Sequence, residues 1–163
     1  MNATIPRFII AGPLRRDYAV LPSGRALLDV PGGSLLYAAA GLLVWEKSPA
    51  PGLVARVGED YPQEWLDTFK SRGMDTRGIR VLPEAIDLRS FYIYSERNAR
   101  QSDDPVAHFS RLGMPFPKSL LGYRSPSSSV DSRTKLTQIS LRQADIIPDY
   151  LDASAAHLCP IEY

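Results

Sequence analysis

The sequence predicts an α/β fold, and three stretches predict it. Arg7 to Gly12 (Arg-Phe-Ile-Ile-Ala-Gly) is a continuous apolar run of strand length, the pattern of a parallel strand buried on both faces. Leu53 to Val57 is a second run of this kind. Ser34 to about Lys47 lies between them, rich in Ala and Leu and of helical length, so the three read as a βαβ-type unit.

Taken in order, the first run ends at Gly12-Pro13, a turn signal followed by Leu14-Arg15-Arg16-Asp17-Tyr18. Pro22-Ser23-Gly24 is a second turn, so Asp17–Leu21 and Arg25–Val30 are expected to pair as a hairpin. Pro31-Gly32-Gly33 then opens the long helix, with Ser34 able to cap it and Leu35, Leu36, Leu42, Leu43 and Trp45 on its apolar side. Two adjacent glycines allow backbone conformations closed to other residues; alone they read as a plain turn. Gly41 inside the helix costs about 1 kcal/mol against Ala, so a close contact is expected there. Ser48-Pro49-Ala50-Pro51-Gly52 stops the helix.

Pro62 to Arg72 reads as an amphipathic helix with Asp60 as cap, Trp65, Leu66 and Phe69 on one face and Gly73 as its stop. Ile79–Leu82 is a short strand, and Leu88–Ser95 a strand rich in aromatic and β-branched residues. Asp103-Asp104-Pro105 is a turn, while Val106 to Leu112 shows no clean period. Residues 124–140, rich in Ser, Thr, Pro and charge, read as a surface loop. Ala144 to Tyr150 fits neither period, and Ala156–Cys159 resembles another buried parallel strand. A parallel strand needs a crossover and a neighbour, so the N-terminal part of a longer protein is expected.

At 163 residues the chain is long enough for one domain with a real core. Its 44% hydrophobic and 23% charged residues are ordinary globular values. Nineteen basic against 18 acidic residues leave a net charge of +1, which gives no electrostatic reason to expect nucleic acid or an anionic membrane as partner. Cys159 is the single cysteine, so no internal disulfide forms, and its apolar surroundings predict a buried thiol. No apolar run is long enough to span a bilayer and no signal-peptide pattern is visible, so the expected location is the cytoplasm. His108 and His157 have no cysteine or acidic cluster at metal spacing, so no metal site is expected. No G-x-S-x-G surrounds the serines at 125–129, and the turn after the first strand lacks a dinucleotide-binding glycine fingerprint.

Three motifs follow one another: Gly12-Pro13-Leu14-Arg15-Arg16-Asp17; Pro31-Gly32-Gly33-Ser34; and Val57-Gly58-Glu59-Asp60, whose following helix ends in Arg72-Gly73-Met74-Asp75-Thr76. In that order they resemble the ribokinase-like (PfkB) carbohydrate kinase family, over Phe8 to Ser95 well and beyond it loosely, where His157-Leu158-Cys159-Pro160 resembles the next core strand. The resemblance implies a three-layer α/β/α core with a small β-sheet lid, apparently truncated before the C-terminal half. Strands at about 17–30 and 88–95 would form the lid, which in the family often mediates dimerisation.

The implied activity is ATP-dependent phosphoryl transfer to a hydroxyl of a sugar or related substrate, with ATP and Mg²⁺ as cofactors of the full-length protein. Asp17 would accept hydrogen bonds from substrate hydroxyls, and Gly32 and Gly33 would form the hinge and let the backbone approach the substrate. Tyr37 stands where many sugar kinases of the family carry an asparagine, so the usual ribose or fructose contacts are altered and a nucleoside-like ligand comes into question. Phe91, Tyr92 or Tyr94 would face the substrate or a partner subunit, or else pack within the sheet. The family's G-A-G-D motif, bearing the base and the anion hole, has no counterpart here, so no catalytic residue is assigned and this chain alone is not expected to bind ATP or phosphorylate a substrate. The alternative is a non-catalytic module of the same fold that binds a metabolite or a protein.

Overall fold

A computed structural model describes residues 5–46, 49–94, 99–125 and 136–160. The chain divides into two compact units, one of Met1–Leu14, Gly32–Asp87 and Val130–Tyr163, the other of Arg15–Pro31 and Leu88–Ser129. Residues 126–135 of the expected surface loop, and Lys47 and Ser95 at the expected ends of a helix and a strand, lie outside the described residues.

The first unit is built on β1 (Phe8–Ala11), and its four-stranded sheet has β1 at its centre. In the second unit β2 (Arg15–Val20) and β3 (Ala26–Gly32) are neighbours, and Leu21 and Gly24 close the turn with the bonds Leu21 N to Arg25 O and Gly24 N to Leu21 O. This is the expected hairpin. The helix α1 (Ser34–Trp45) follows β3, and β4 (Gly52–Gly58) pairs parallel with β1, matching Ile10 to Leu53 and Ala11 to Val54. The βαβ unit therefore holds. Leu53, Val54, Ala55 and Val57 are buried, as a strand covered on both faces requires.

Helix α2 (Gln63–Ser71) buries Leu66 and Phe69, and Gly73 terminates it at φ 82° with Met74 N donating to Phe69 O. Asp60 does not cap it. Its Oδ1 instead accepts from the amide of Ile86 at 2.9 Å and holds the loop after β5 (Asp75–Leu82). β5 is four residues longer at its start than the apolar run suggests, because Gly78 sits inside it. A side chain there would run into the Leu53 carbonyl and the Tyr150 ring, so the glycine marks close packing where the sequence reads as a break.

β6 (Arg89–Tyr94) runs parallel to β2, and β7 (Arg100–Gln101) antiparallel to β6. The stretch without a clean period is α3 (Pro105–Arg111): Asp104, at φ 36°, accepts from Ala107 N, and Pro105 fits the first turn. Its Phe109 joins Tyr18, Val20, Phe91 and Leu120 in the buried core of the second unit. Residues 143–145 and 148–150 form single 3₁₀ turns, too short to show either period.

β8 (Ala155–Leu158) pairs parallel with β1, as expected, but it is not buried. All four of its residues are exposed, at the edge of the sheet. The apolar side expected for α1 needs the same correction. Leu35 and Ala39 are its buried residues, whereas Trp45 is 89% exposed. A Cβ on Gly41 would meet nothing within 4 Å, so no close contact explains that glycine. Beside it, a cleft of about 490 Å³ is lined by Phe8, Ile10, Gly41, Trp45, Ala156 and His157, among others. Among the described residues no helix is long and apolar enough to cross a membrane.

Candidate functional site

Alternation along β2 and β6 sets the geometry of the second unit. The parallel register places Asp17 beside Ser90, Tyr18 beside Phe91, Ala19 beside Tyr92 and Val20 beside Ile93. Successive side chains point to opposite faces. Tyr18, Val20, Phe91 and Ile93 therefore pack on the α3 side, in the core. Asp17, Ala19, Ser90, Tyr92 and Tyr94 occupy the other face. Of the aromatic residues of β6, Phe91 is core, and Tyr92 and Tyr94 share the face of Asp17.

Asp17 is 3% exposed, one of few buried charged residues. Burying a carboxylate is costly without hydrogen bonds. Tyr92 Oη supplies one, donating to Asp17 Oδ2 at 3.0 Å. Ala19, directly opposite Tyr92, is small enough for the phenol to lean back along the strand toward Asp17. The Tyr92 ring is in turn fixed from two sides. Tyr94 meets it edge-on, with centroids 5.7 Å apart, and the Arg100 guanidinium lies over it at 4.6 Å. Sequence alone gave no reason to single out Arg100. Its place depends on the short pairing of β7 with β6, which matches Tyr94 to Arg100.

Arg16, which alternates with Asp17 along β2, forms a fork with Asp29, with Nε to Oδ1 at 2.9 Å and Nη2 to Oδ2 at 2.7 Å. Arg16 holds the Asp29 carboxyl below its usual range, burial opposing the shift. Asp29 sits at φ 55°, a left-handed conformation that Asp tolerates better than most residues. Burial pushes the nearby Tyr18 hydroxyl up.

Gly32, Gly33 and Tyr37 lie in the first unit. Gly33 is the N-cap of α1 at φ 100°, ψ 152°, a region open essentially to glycine alone, and it makes no side-chain cap hydrogen bond. Ser34 is thus the first helical residue and not the cap expected. Its hydroxyl is buried and lacks a well-formed hydrogen bond, although it lies near enough to the Cys159 thiol to oppose the upward push of burial on that group. Cys159 is buried, as expected. It also explains Gly12, where a Cβ would press on Cys159 Cβ. Tyr37 is 56% exposed one turn into α1, with its amide donating to Gly33 O at 3.2 Å. Gly32 thus ends β3, Gly33 is the N-cap of α1 and Tyr37 follows one turn into the helix, whereas Asp17 belongs to the second unit.

Among the described residues no group of three or more His, Cys, Asp or Glu gathers as a metal site. What they bring together is a buried carboxylate, hydrogen-bonded by a phenol, on a strand face that also carries Tyr94.

No family model matches the chain. Over 117 residues it is 32% identical to a cytidine kinase of Thermococcus kodakarensis, a match covering 69% of this chain and 39% of that protein. The chain thus spans about two-fifths of the length of the curated relative it matches. Similar solved structures include a ribokinase from Cryptococcus neoformans var. grubii in complex with ADP, at 15% identity and a TM-score of 0.48 over 59% of this chain and 33% of that one. Another is a Burkholderia thailandensis nucleoside kinase in complex with inosine, at 18% identity and a TM-score of 0.48, covering 58% of this chain and 35% of that one. The expected resemblance holds: the chain is similar to the ribokinase-like kinases of sugars and nucleosides. Its mixed α/β architecture, with a parallel sheet, is ribokinase-like.

Proposed function

We propose that this chain forms the substrate-binding part of a kinase that transfers the γ-phosphoryl group of ATP to a hydroxyl of a nucleoside or sugar. ATP, Mg²⁺ and the catalytic base would be contributed by residues beyond those of this chain. The observation that carries the reading is Asp17, a buried carboxylate held at 3.0 Å by the Tyr92 hydroxyl on the face of its sheet that also carries Tyr94. A carboxylate accepts strong charge-assisted hydrogen bonds and so suits vicinal hydroxyls. The aromatic rings beside it favour a nucleoside over a bare sugar, and the similarity to a protein named cytidine kinase points the same way.

Calorimetric titration with cytidine, D-ribose and D-fructose tests this. Cytidine is expected to bind, and Asp17→Asn, which keeps the side chain's shape, is expected to weaken it by about 10- to 100-fold, the loss of one or two hydrogen bonds to a charged acceptor. Binding of none of the three ligands would overturn the reading, as would an Asp17→Asn variant that binds as well as the unaltered protein.

A further inference from the structure

Tyr92 lies outside the hydrophobic core cluster of the second unit. Phe91 and Ile93 supply β6's contribution to the core of the second unit, and Tyr92 points to the other face. On that face its hydroxyl makes a side-chain hydrogen bond to a buried carboxylate, spanning 75 residues of sequence. Its ring is held edge-on by Tyr94 and from above by Arg100, so two contacts restrict the phenol before the hydroxyl acts. A phenol restricted in this way presents its hydroxyl to Asp17 Oδ2 from a fixed direction.

From this geometry we propose that Tyr92 is a positioning residue. It holds the Asp17 carboxylate in the one orientation that accepts hydrogen bonds from a ribosyl diol, and Tyr94 and Arg100 hold Tyr92. The proposal rests on the reading of Asp17 as the substrate's hydroxyl acceptor and adds the device that orients it. Preorganisation of this kind lowers the cost of binding, because the carboxylate does not have to give up alternative rotamers when the ligand arrives. The consequence is selectivity. A ligand that offers two hydroxyls to Asp17 gains from the fixed plane, and a ligand lacking them gains nothing.

Tyr92→Phe removes the hydroxyl and keeps the ring contacts with Tyr94 and Arg100. Binding of cytidine and of 2′,3′-dideoxycytidine is measured by calorimetry in the unaltered protein, in Tyr92→Phe, in Asp17→Asn and in the double variant. The expected result is a loss of about 10-fold for cytidine in Tyr92→Phe, with dideoxycytidine affinity unchanged within about 2-fold. The two losses are also expected not to add in the double variant, because each acts through the same carboxylate.

Equal losses for both ligands would show that the hydroxyl supports the sheet and not the orientation of Asp17, and would overturn the proposal. An unchanged preference for cytidine in Tyr92→Phe, or fully additive losses, would overturn it as well. An unaltered protein that binds the two ligands equally would overturn the Asp17 reading itself and the role of Tyr92 with it.

Discussion

Tyr150 closes the sheet of the first unit, and its removal has a calculable cost. Between the pairs Gly52–Asp75 and Val54–Gly78 the β4–β5 ladder slips by one residue. The slip leaves the groups beside it in need of partners. The Tyr150 hydroxyl answers both, donating to the Asp75 carbonyl at 3.0 Å and accepting from the Gly78 amide at 3.3 Å, while the residue is 1% exposed. Burial, first, and the neighbouring Asp75 charge, second, push the phenol's pKa up, so the hydroxyl stays protonated and able to donate. Tyr150→Phe keeps the ring and takes the hydroxyl partner from two backbone groups, the buried Gly78 amide and the part-buried Asp75 carbonyl. At about 1–3 kcal/mol for each buried group left unsatisfied, offset by relaxation of the slip, a loss of about 2 kcal/mol is expected. In urea, at a slope of about 2 kcal/mol/M, the unfolding midpoint would fall by about 1 M at unchanged slope. A second arm uses the glycines under the ring. A Cβ on Gly52 would stand 2.8 Å from Tyr150 Cζ and 3.0 Å from Pro6 Cγ, both side-chain atoms, whereas one on Gly78 would also meet the backbone carbonyl of Leu53. Gly52→Ala should therefore cost about 1–3 kcal/mol in the native background and much less alongside Tyr150→Ala. Gly78→Ala should stay costly in both. A midpoint shift below about 0.25 M for Tyr150→Phe, or a Gly52→Ala cost that does not depend on Tyr150, would refute this account.

Two further outcomes follow from the same physics. Gly41→Ala should raise the unfolding free energy by about 1 kcal/mol, read from the urea midpoint, since a helical glycine with nothing within 4 Å of its missing Cβ has entropy to gain and no clash to suffer; a lowered midpoint would mean that the face is covered in solution. The Arg16–Asp29 fork should make stability depend on acid: Asp29 is held below its usual range, so its contribution is present above about pH 4, the unfolded value, and is lost as pH falls through the lower folded one. Asp29→Asn tests this, because Asn accepts the left-handed conformation at φ 55° while removing the titrating charge and one of the two fork bonds; the variant's stability should vary less with pH in that window, and an unaltered profile would exclude the fork as its source.

What the sequence disclosed depended on how locally each element was determined. β1, β4 and the α1 between them declare themselves by apolar runs and turn residues within a few positions. The β2–β3 hairpin does so by Pro22-Ser23-Gly24. β5 was only half visible because Gly78, needed beneath Tyr150, looks like a break until a residue 72 positions later is known to lie on it. α3 was missed because its signal is a cap, Asp104 to Ala107 N, and not a period. Asp60 and Ser34 stand where caps belong, but Asp60 is engaged by the Ile86 amide and the cap position of α1 is taken by Gly33. The exposure of Trp45 and of β8 was beyond local patterning altogether, since an apolar residue in sequence does not say what covers it.

The candidate site shows the same dependence on long-range partners. The resemblance to the ribokinase-like family singles out Asp17 but not its companion, because Tyr92, Phe91 and Tyr94 are equally aromatic and adjacent. Register separates them. With Ala19 opposite Tyr92, the odd-numbered residues of β6 complete the hydrophobic core and the even-numbered ones join Asp17. A one-residue slip would bring Phe91 beside the carboxylate and bury the Tyr92 hydroxyl against Phe109 and Leu120, losing the core and the polar pair together. The packing that makes the second unit fold is thus also what delivers a hydrogen-bond donor to Asp17, and no separate requirement on the sequence is needed to keep the two in register.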